Sequence, residues 1–217
     1  MNKIYQNVHM GEGTVVEDFA VIGAPPRGKQ DGECKTVIGK NCTIKSGSVI
    51  YANTTLGDNC FIAHGAIIRE DCTIGDNFVL GNNSVVLPDA TIEDHVTIHT
   101  LAEIADHSTI KHGAWIGPGV KMANNIHPKQ LNPCEHKDKQ DKEGAPHIGT
   151  HARIGLNATI NAFVHIHDYA IVGSGAVVTK DVPAHHVVIG NPAKVVKDAR
   201  NITCRYCDNK PYRVKDE

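Results

Sequence analysis

The sequence predicts an all-β fold, a three-sided parallel β-helix, from three observations. An aliphatic residue stands at every sixth position from Ile38 to Ile116 without a miss. The fourth residue after it is mostly small, as at Cys42, Ser48, Thr54, Cys60, Ala66 and Cys72. The period breaks in two places and resumes after each. Helices repeat near 3.6 residues and half-buried strands near 2, so neither produces a period of six. A fixed period of this kind belongs to a stacked architecture in which each repeat buries its apolar side against its neighbours.

The elements follow in chain order. Met10, Val16 and Ile22 mark the first three faces. A Pro/Gly-rich excursion over about 23–36, containing Gly23-Ala24-Pro25-Pro26-Arg27-Gly28, cannot hold a regular strand. From Ile38 each coil takes eighteen residues, so Ile38, Leu56, Ile74, Ile92 and Ile110 stack on one face, about 4.8 Å apart. Gly39, Gly57, Gly75 and Gly117 directly follow the aliphatic residue and are read as tight corners. The second excursion is placed at about 118–147, before the period restarts at Ile148, Ile154, Ile160, Ile166, Val172 and Val178. A long loop on a rigid scaffold is the first place to look for chemistry, and this one carries Asn124 and His127. Asn191 before Pro192 reads as an N-cap with proline in the first turn, which predicts a short C-terminal helix closing the solenoid. The domain division is then 1–190 for the β-helix and 191–217 for the helix and tail. In that tail Cys204-Arg205-Tyr206-Cys207 is one CxxC without a second pair, read as unligated.

Composition narrows the function classes. Aromatics are 5% of the chain, as befits an interior filled by Ile, Val, Ala and Cys. A formal charge of -2 and a pI near 6.7 argue against a nucleic-acid or acidic-membrane partner. Neither a signal peptide nor an 18-residue apolar run is present, so a cytoplasmic protein without membrane insertion is expected. Among the seven cysteines, Cys42 and Cys60 occupy the small inward slot on adjacent coils and are expected to be buried thiols.

The hexads, with Ala176-Val177-Val178-Thr179-Lys180-Asp181-Val182-Pro183 and Gly190-Asn191-Pro192-Ala193-Lys194, resemble the acetyl-CoA-using branch of the hexapeptide-repeat acyltransferases over most of the chain. The resemblance implies a left-handed β-helix, a handedness that periodicity cannot supply, and a homotrimer. It also implies acetyl-CoA as cosubstrate, with no metal. Val120 to Pro128 is similar to the loop of the maltose and galactoside O-acetyltransferases, whose His-Pro pair carries the catalytic histidine and maps to His127. The same loop resembles that of acyltransferases acting on nucleotide-linked 3-amino sugars, whose members often carry an Asn where Asn124 stands. Ser46-Gly47-Ser48-Val49-Ile50-Tyr51-Ala52 and His64-Gly65-Ala66-Ile67-Ile68-Arg69-Glu70 look closer to that second group. Ile22-Gly23-Ala24-Pro25-Pro26 and Ile62-Ala63-His64 are similar to the early loop and catalytic-histidine motif of the UDP-N-acetylglucosamine acyltransferases.

These resemblances imply the roles. His127 is the expected base, Asn124 a substrate or oxyanion contact, and His64 a base or a sugar-nucleotide contact beside Arg69 and Glu70. An imidazole suits the task because its unperturbed pKa is about 6.5. Leu156 and Ser174 map onto pantetheine contacts, and Thr179, Lys180 and Lys194 onto the nucleotide end of CoA, where cations suit phosphate. His107, His112, His165 and His167 are read as surface residues. The expected activity is N-acetylation of a nucleotide-linked amino sugar for surface glycan synthesis, with sugar O-acetylation of the maltose/galactoside type as the alternative. A γ-class carbonic anhydrase-like site is a lesser one: with His64 as one ligand, its partner positions hold Arg69 and Gly28, and arginine keeps its proton.

Overall fold

The fold is seen in a computed structural model describing residues 1–127 and 142–212. It is an all-β left-handed parallel β-helix of about ten turns with almost no helix. Three parallel sheets form its faces. The first face runs from Lys3–Ile4 to Val177–Val178, the second from Val8–Met10 to His165–Ile166, and the third from Val15–Val16 to Ile171–Val172. The third face ends in two further strands, His186–Ile189 and Lys194–Asp198.

The period-six residues point inward on all three faces. Ile74 pairs with Leu56 below it and Ile92 above it, in the eighteen-residue register. Ile44, Ile50, Ile62, Ile68 and Leu80 are fully buried, and Phe78 fills one of the otherwise small slots. Two of the polar residues in those slots bond to the main chain of the next coil: Thr54 Oγ1 donates to the Arg69 carbonyl at 2.9 Å and Ser84 Oγ to that of His99 at 2.7 Å. Cys42, Cys60 and Cys72 are buried free thiols. Each coil also hands its strand N–H groups to the next, as in Gly39 N–H to the Leu56 carbonyl at 2.8 Å.

The corners divide two tasks that the sequence assigned to one glycine. The left-handed backbone falls three residues after the aliphatic position, at Asn41 (φ 53°), Asn59 (φ 57°) and Asn77 (φ 56°), where an asparagine tolerates positive φ. The glycine directly after the aliphatic residue serves close stacking. A Cβ on Gly57 would sit 2.3 Å from Asp76 Oδ1 and 2.6 Å from the Gly75 carbonyl carbon. Asp58, Asp76 and Asp94 use that approach to accept the N–H groups of Lys40, Asp58 and Asp76 at 2.7–2.8 Å.

The excursions are insertions into an unbroken register. Met10 pairs with Ile38, 28 residues on rather than 18, so the first adds 10. Ile110 pairs with Ile148, 38 on rather than 18, so the second adds 20. Its expected start at 118 is corrected. Residues 117–120 form an ordinary corner, and Lys121–Met122 an ordinary strand whose buried Met122 takes the aliphatic place. Pro118 and Gly119 imitate a loop, while the chain leaves the coil only after Met122. Pro128 and the following residues to 141 lie outside the described residues.

The expected C-terminal helix is also corrected. A cis Asn191–Pro192 turn joins two antiparallel strands, and Lys194–Asp198 pairs with His186–Ile189 along the third face. The open edge of the last coil offers unpaired backbone groups, and the β-branched pair Val195-Val196 suits a strand. Among the described residues a 3-10 turn, Ala199–Asn201, is the helical element that follows.

Ile74 is 2% exposed in the middle of the column. Ile74→Val is expected to cost about 0.5–1.5 kcal/mol, whereas Ile74→Asp buries an unpaired charge and should abolish cooperative folding. Thermal melts followed by circular dichroism check both, and an unchanged midpoint for Ile74→Asp would refute the inward register.

Candidate functional site

With the interior filled by apolar side chains, chemistry is confined to outward strand positions and to the three corners. The first corner joins the first face to the second, the second corner joins the second to the third, and the third corner returns to the first. The candidate residues divide between the first and third corners.

His64 lies exposed on the third corner. Its Nδ1 is 2.8 Å from Ser46 Oγ on the coil below, and its N–H donates to Asn82 Oδ1 at 3.1 Å on the coil above. When Nδ1–H donates to Ser46, Nε2 keeps the lone pair that a base requires. Ser46 in turn is placed by Glu17, which accepts the Ser46 N–H at 3.1 Å and pairs with Lys45.

Arg69 and Glu70 follow on the same coil, across the strand Ile67–Ile68, at the first corner. They form a bidentate pair at 2.7 and 2.8 Å, and the Arg69 guanidinium lies 4.8 Å from the centre of the Tyr51 ring. Asn124 occupies the same corner, where its Nδ2 donates to Asp106 Oδ1 at 2.6 Å. Glu70, Pro88, Asp106 and Asn124 occupy one corner position on successive coils, so Asn124 stands three coils above Glu70, about 14 Å along the axis. His127 follows, exposed, with its N–H held by Asn125 Oδ1 at 2.7 Å. Within one chain, therefore, His64 and the Asn124–His127 segment do not share a cleft.

Leu156 and Ser174, by contrast, are brought together. Both line a groove of about 450 Å³ that runs over the third face to the third corner, with Gly155 and Gly173 in its floor. Trp115, Arg153 and Ile171 form its strand side, and Tyr212 of the C-terminal tail closes it. A Cβ on Gly155 would lie 2.5 Å from the Ser174 nitrogen, so a side chain there has no room. Thr179 and Lys180 sit apart at the first corner, and Lys194 begins the terminal strand, exposed.

The residues missed at the sequence level surround this groove. Arg153 is half-buried and donates to the carbonyls of Gly113 and Ala152 at 2.6 and 3.2 Å. Burial draws its guanidinium below the usual value, and among the described residues no carboxylate pairs with it. His99 packs edge-on against Trp115 with ring centres 4.9 Å apart. Nothing in a period of six marks such outward positions. Their only sequence signal is size and charge beside the glycines.

Histidines read as surface residues are organised by the same stacking. On the second corner, His95, His112, His151, Tyr169 and His185 form a ladder with successive ring centres 5.2, 5.4, 5.4 and 5.0 Å apart. His147 and His165 pair at 4.7 Å on the second face, His165 and His167 lie 6.3 Å apart, and His107 faces Asp89 at 3.8 Å.

The repeats themselves are those of known proteins. The family described as bacterial transferase hexapeptide (six repeats) matches residues 35–70 and 71–106, and the hexapeptide repeat of succinyl-transferase matches residues 147–180. Hexapeptide repeats of transferases are thus matched on both sides of the second insertion. It is 33% identical over 110 residues to serine acetyltransferase 2 of Arabidopsis thaliana, covering 47% of this chain and 32% of that protein. It is 38% identical over 87 residues to a 2,3,4,5-tetrahydropyridine-2,6-dicarboxylate N-acetyltransferase of Staphylococcus aureus, covering 40% of this chain and 31% of that protein. The chain spans about a third of the length of the curated relatives it matches. In fold it is similar to the UDP-N-acetylglucosamine acyltransferase of Campylobacter jejuni, with a TM-score of 0.73 and 17% identity over 91% of this chain and 73% of that one.

Two of the histidines make stability depend on pH. Burial, then His165 and Lys111, hold His147 below its ordinary value; burial, then Arg153 and His112, do so for His151. A histidine with a depressed folded pKa leaves the unfolded chain with more bound protons. Its stabilising effect is complete above the ordinary value of 6.5 and is lost as pH falls below it. Urea midpoints are therefore expected to fall between about pH 7.5 and 5.5, and less so in His151→Asn. Midpoints that rise on acidification would contradict the sign.

Proposed function

We propose that this protein transfers the acetyl group of acetyl-CoA to the amino group of a nucleotide-linked amino sugar used in surface glycan synthesis, as a cytoplasmic homotrimer. The observation that carries this reading is that Leu156 and Ser174, eighteen residues apart, line one glycine-floored groove. The floor lets a thin chain such as pantetheine approach backbone amides closely. Arg153 beside it, with Lys180 and Lys194 toward the same end of the coil stack, supplies cations for the phosphates.

The acceptor side is divided between His64 with Arg69 and Glu70, and Asn124 with His127. A cleft between two copies, in which the third corner of one faces the first corner of the next, would reunite them. In the proposed reaction the neutral amine attacks the thioester carbon, and His127 takes the proton that the amine sheds. Asn124 is the proposed donor to the developing oxyanion, which collapses to the amide as the C–S bond breaks and CoA leaves as the thiolate. The resemblance to amino-sugar acyltransferases around His64 to Glu70 supports the sugar nucleotide as acceptor, and the relatives named above include an N-acetyltransferase.

Turnover of acetyl-CoA measured against a panel of UDP- and dTDP-amino sugars and simple sugars is the test. Acetylation of an amino-sugar nucleotide is the expected outcome, and turnover only on simple sugar hydroxyls would replace the proposal with O-acetylation. His127→Ala should lower kcat by roughly 10²; full activity would move the base to His64 or to the substrate itself. Ser174→Trp fills the groove and should raise KM for acetyl-CoA by about ten-fold or more while leaving the acceptor KM unchanged.

A further inference from the structure

The C-terminal tail contains chemistry that acetyl transfer does not use. It is held at two points. At one end Ala199 is fully buried and its N–H bonds to the His185 carbonyl at 2.6 Å. At the other, Tyr212 forms a wall of the groove with Trp115, Arg153, Leu156 and Ser174. Between the two anchors the chain makes a tight turn closed by the Cys204 N–H on the Asn209 carbonyl at 2.7 Å. Both tail cysteines lie in that turn. Cys204 is half-buried and Cys207 exposed, and the Cys204 sulfur accepts the N–H of Tyr206 at 3.5 Å.

We propose that Cys204 and Cys207 form a redox-active dithiol that exchanges with low-molecular-weight disulfides and, through the tail it shares with Tyr212, alters the groove. Three observations carry this. The two cysteines stand three positions apart in one tight turn closed by the Cys204 N–H on the Asn209 carbonyl, with Cys207 exposed to a small disulfide. The Tyr206 N–H, and after it the Cys207 thiol, hold Cys204 below the ordinary thiol range, which favours the thiolate that initiates exchange. The other described cysteines differ: Cys42, Cys60 and Cys72 are buried inside the coil, where burial pushes Cys72 up to about 12, and half-buried Cys34 is the single cysteine of the first excursion.

The exchange balances as two displacements. The Cys204 thiolate attacks one sulfur of a small disulfide, whose S–S bond breaks to release one thiolate and leave a mixed disulfide on Cys204. The Cys207 thiolate then attacks the Cys204 sulfur and expels the second small thiolate. The two leaving groups take up the two protons that the cysteines gave up. The dithiol is oxidised by two electrons, and the small disulfide is reduced to two thiols. Closing the ring fixes the turn between Ala199 and Tyr212, so the phenol must shift against Trp115 or hold its place more rigidly.

Glutathione and glutathione disulfide in stepped ratios are the probe, applied to the full-length protein. After thiol blocking, peptide mass spectrometry reads the Cys204–Cys207 disulfide, and fluorescence reads Trp115, the single tryptophan of the chain. The expected result is reversible loss of two hydrogens on that peptide with a parallel shift in Trp115 emission. Both signals should be absent in Cys207→Ser, which should stop at the glutathione adduct on Cys204. Thiols that stay reduced, or a disulfide that forms without any change in emission, would overturn the proposal. The link to acetyl transfer rests on reading the groove as the donor site, and calorimetry of CoA on the reduced and oxidised forms tests it separately. Unequal affinities support the coupling, equal affinities overturn it, and binding to neither form removes the donor reading while the fluorescence result still decides the dithiol.

Discussion

Successive coils lie one strand spacing apart, and that distance governs the rest of the molecule. At about 4.8 Å the strand N–H groups of one coil reach the carbonyls of the next, and the aliphatic side chains beneath them touch along a continuous column. Both contacts must hold at once on three faces. The glycine at the start of many corners follows from this, since a Cβ on Gly39 would lie 2.4 Å from the Gly57 backbone. So do the asparagines at positive φ, which turn the chain within four residues while their neighbours bond coil to coil.

A scaffold of this kind has no interior to spare for a site. Its chemistry is written along the corners, where one position per coil repeats, and a residue can be near in sequence yet on another edge of the prism. His64 and Arg69 are five residues apart and on different corners, while Glu70 and Asn124 share a corner across three coils. The groove over Leu156 and Ser174 shows the opposite case, with residues from three neighbouring strands of the third face, two of the corners that follow them, and the tail closing on one space. The two insertions interrupt the chain without disturbing the stack, because the register simply resumes at Ile38 and at Ile148.

The tail completes the groove by a route no repeat could announce. After the last coil the chain pairs back on itself through Lys194–Asp198, which covers the edge of the third face and redirects the following residues along its surface. Tyr212 reaches Trp115 and Arg153 only because of that reversal. A terminal helix would have sent the same residues elsewhere.

The sequence by itself determined the coil, its register and the burial of the period-six residues from Ile38 to Ile116, because burial repeats at a fixed interval and leaves a chemical mark at each. It also marked Asn124, His127 and His64 as candidates through local motifs. Only the tertiary structure decided which of them meet. It placed the departure of the second excursion after Met122 rather than at Pro118, since a methionine fills an inward slot as well as an isoleucine does. It made a strand of the segment after Pro192, because an open sheet edge outweighs a weak capping signal. And it joined Trp115, Arg153, Leu156, Ser174 and Tyr212 around one groove, since outward side chains obey no period and their neighbours are set by how the coils stack and where the tail returns.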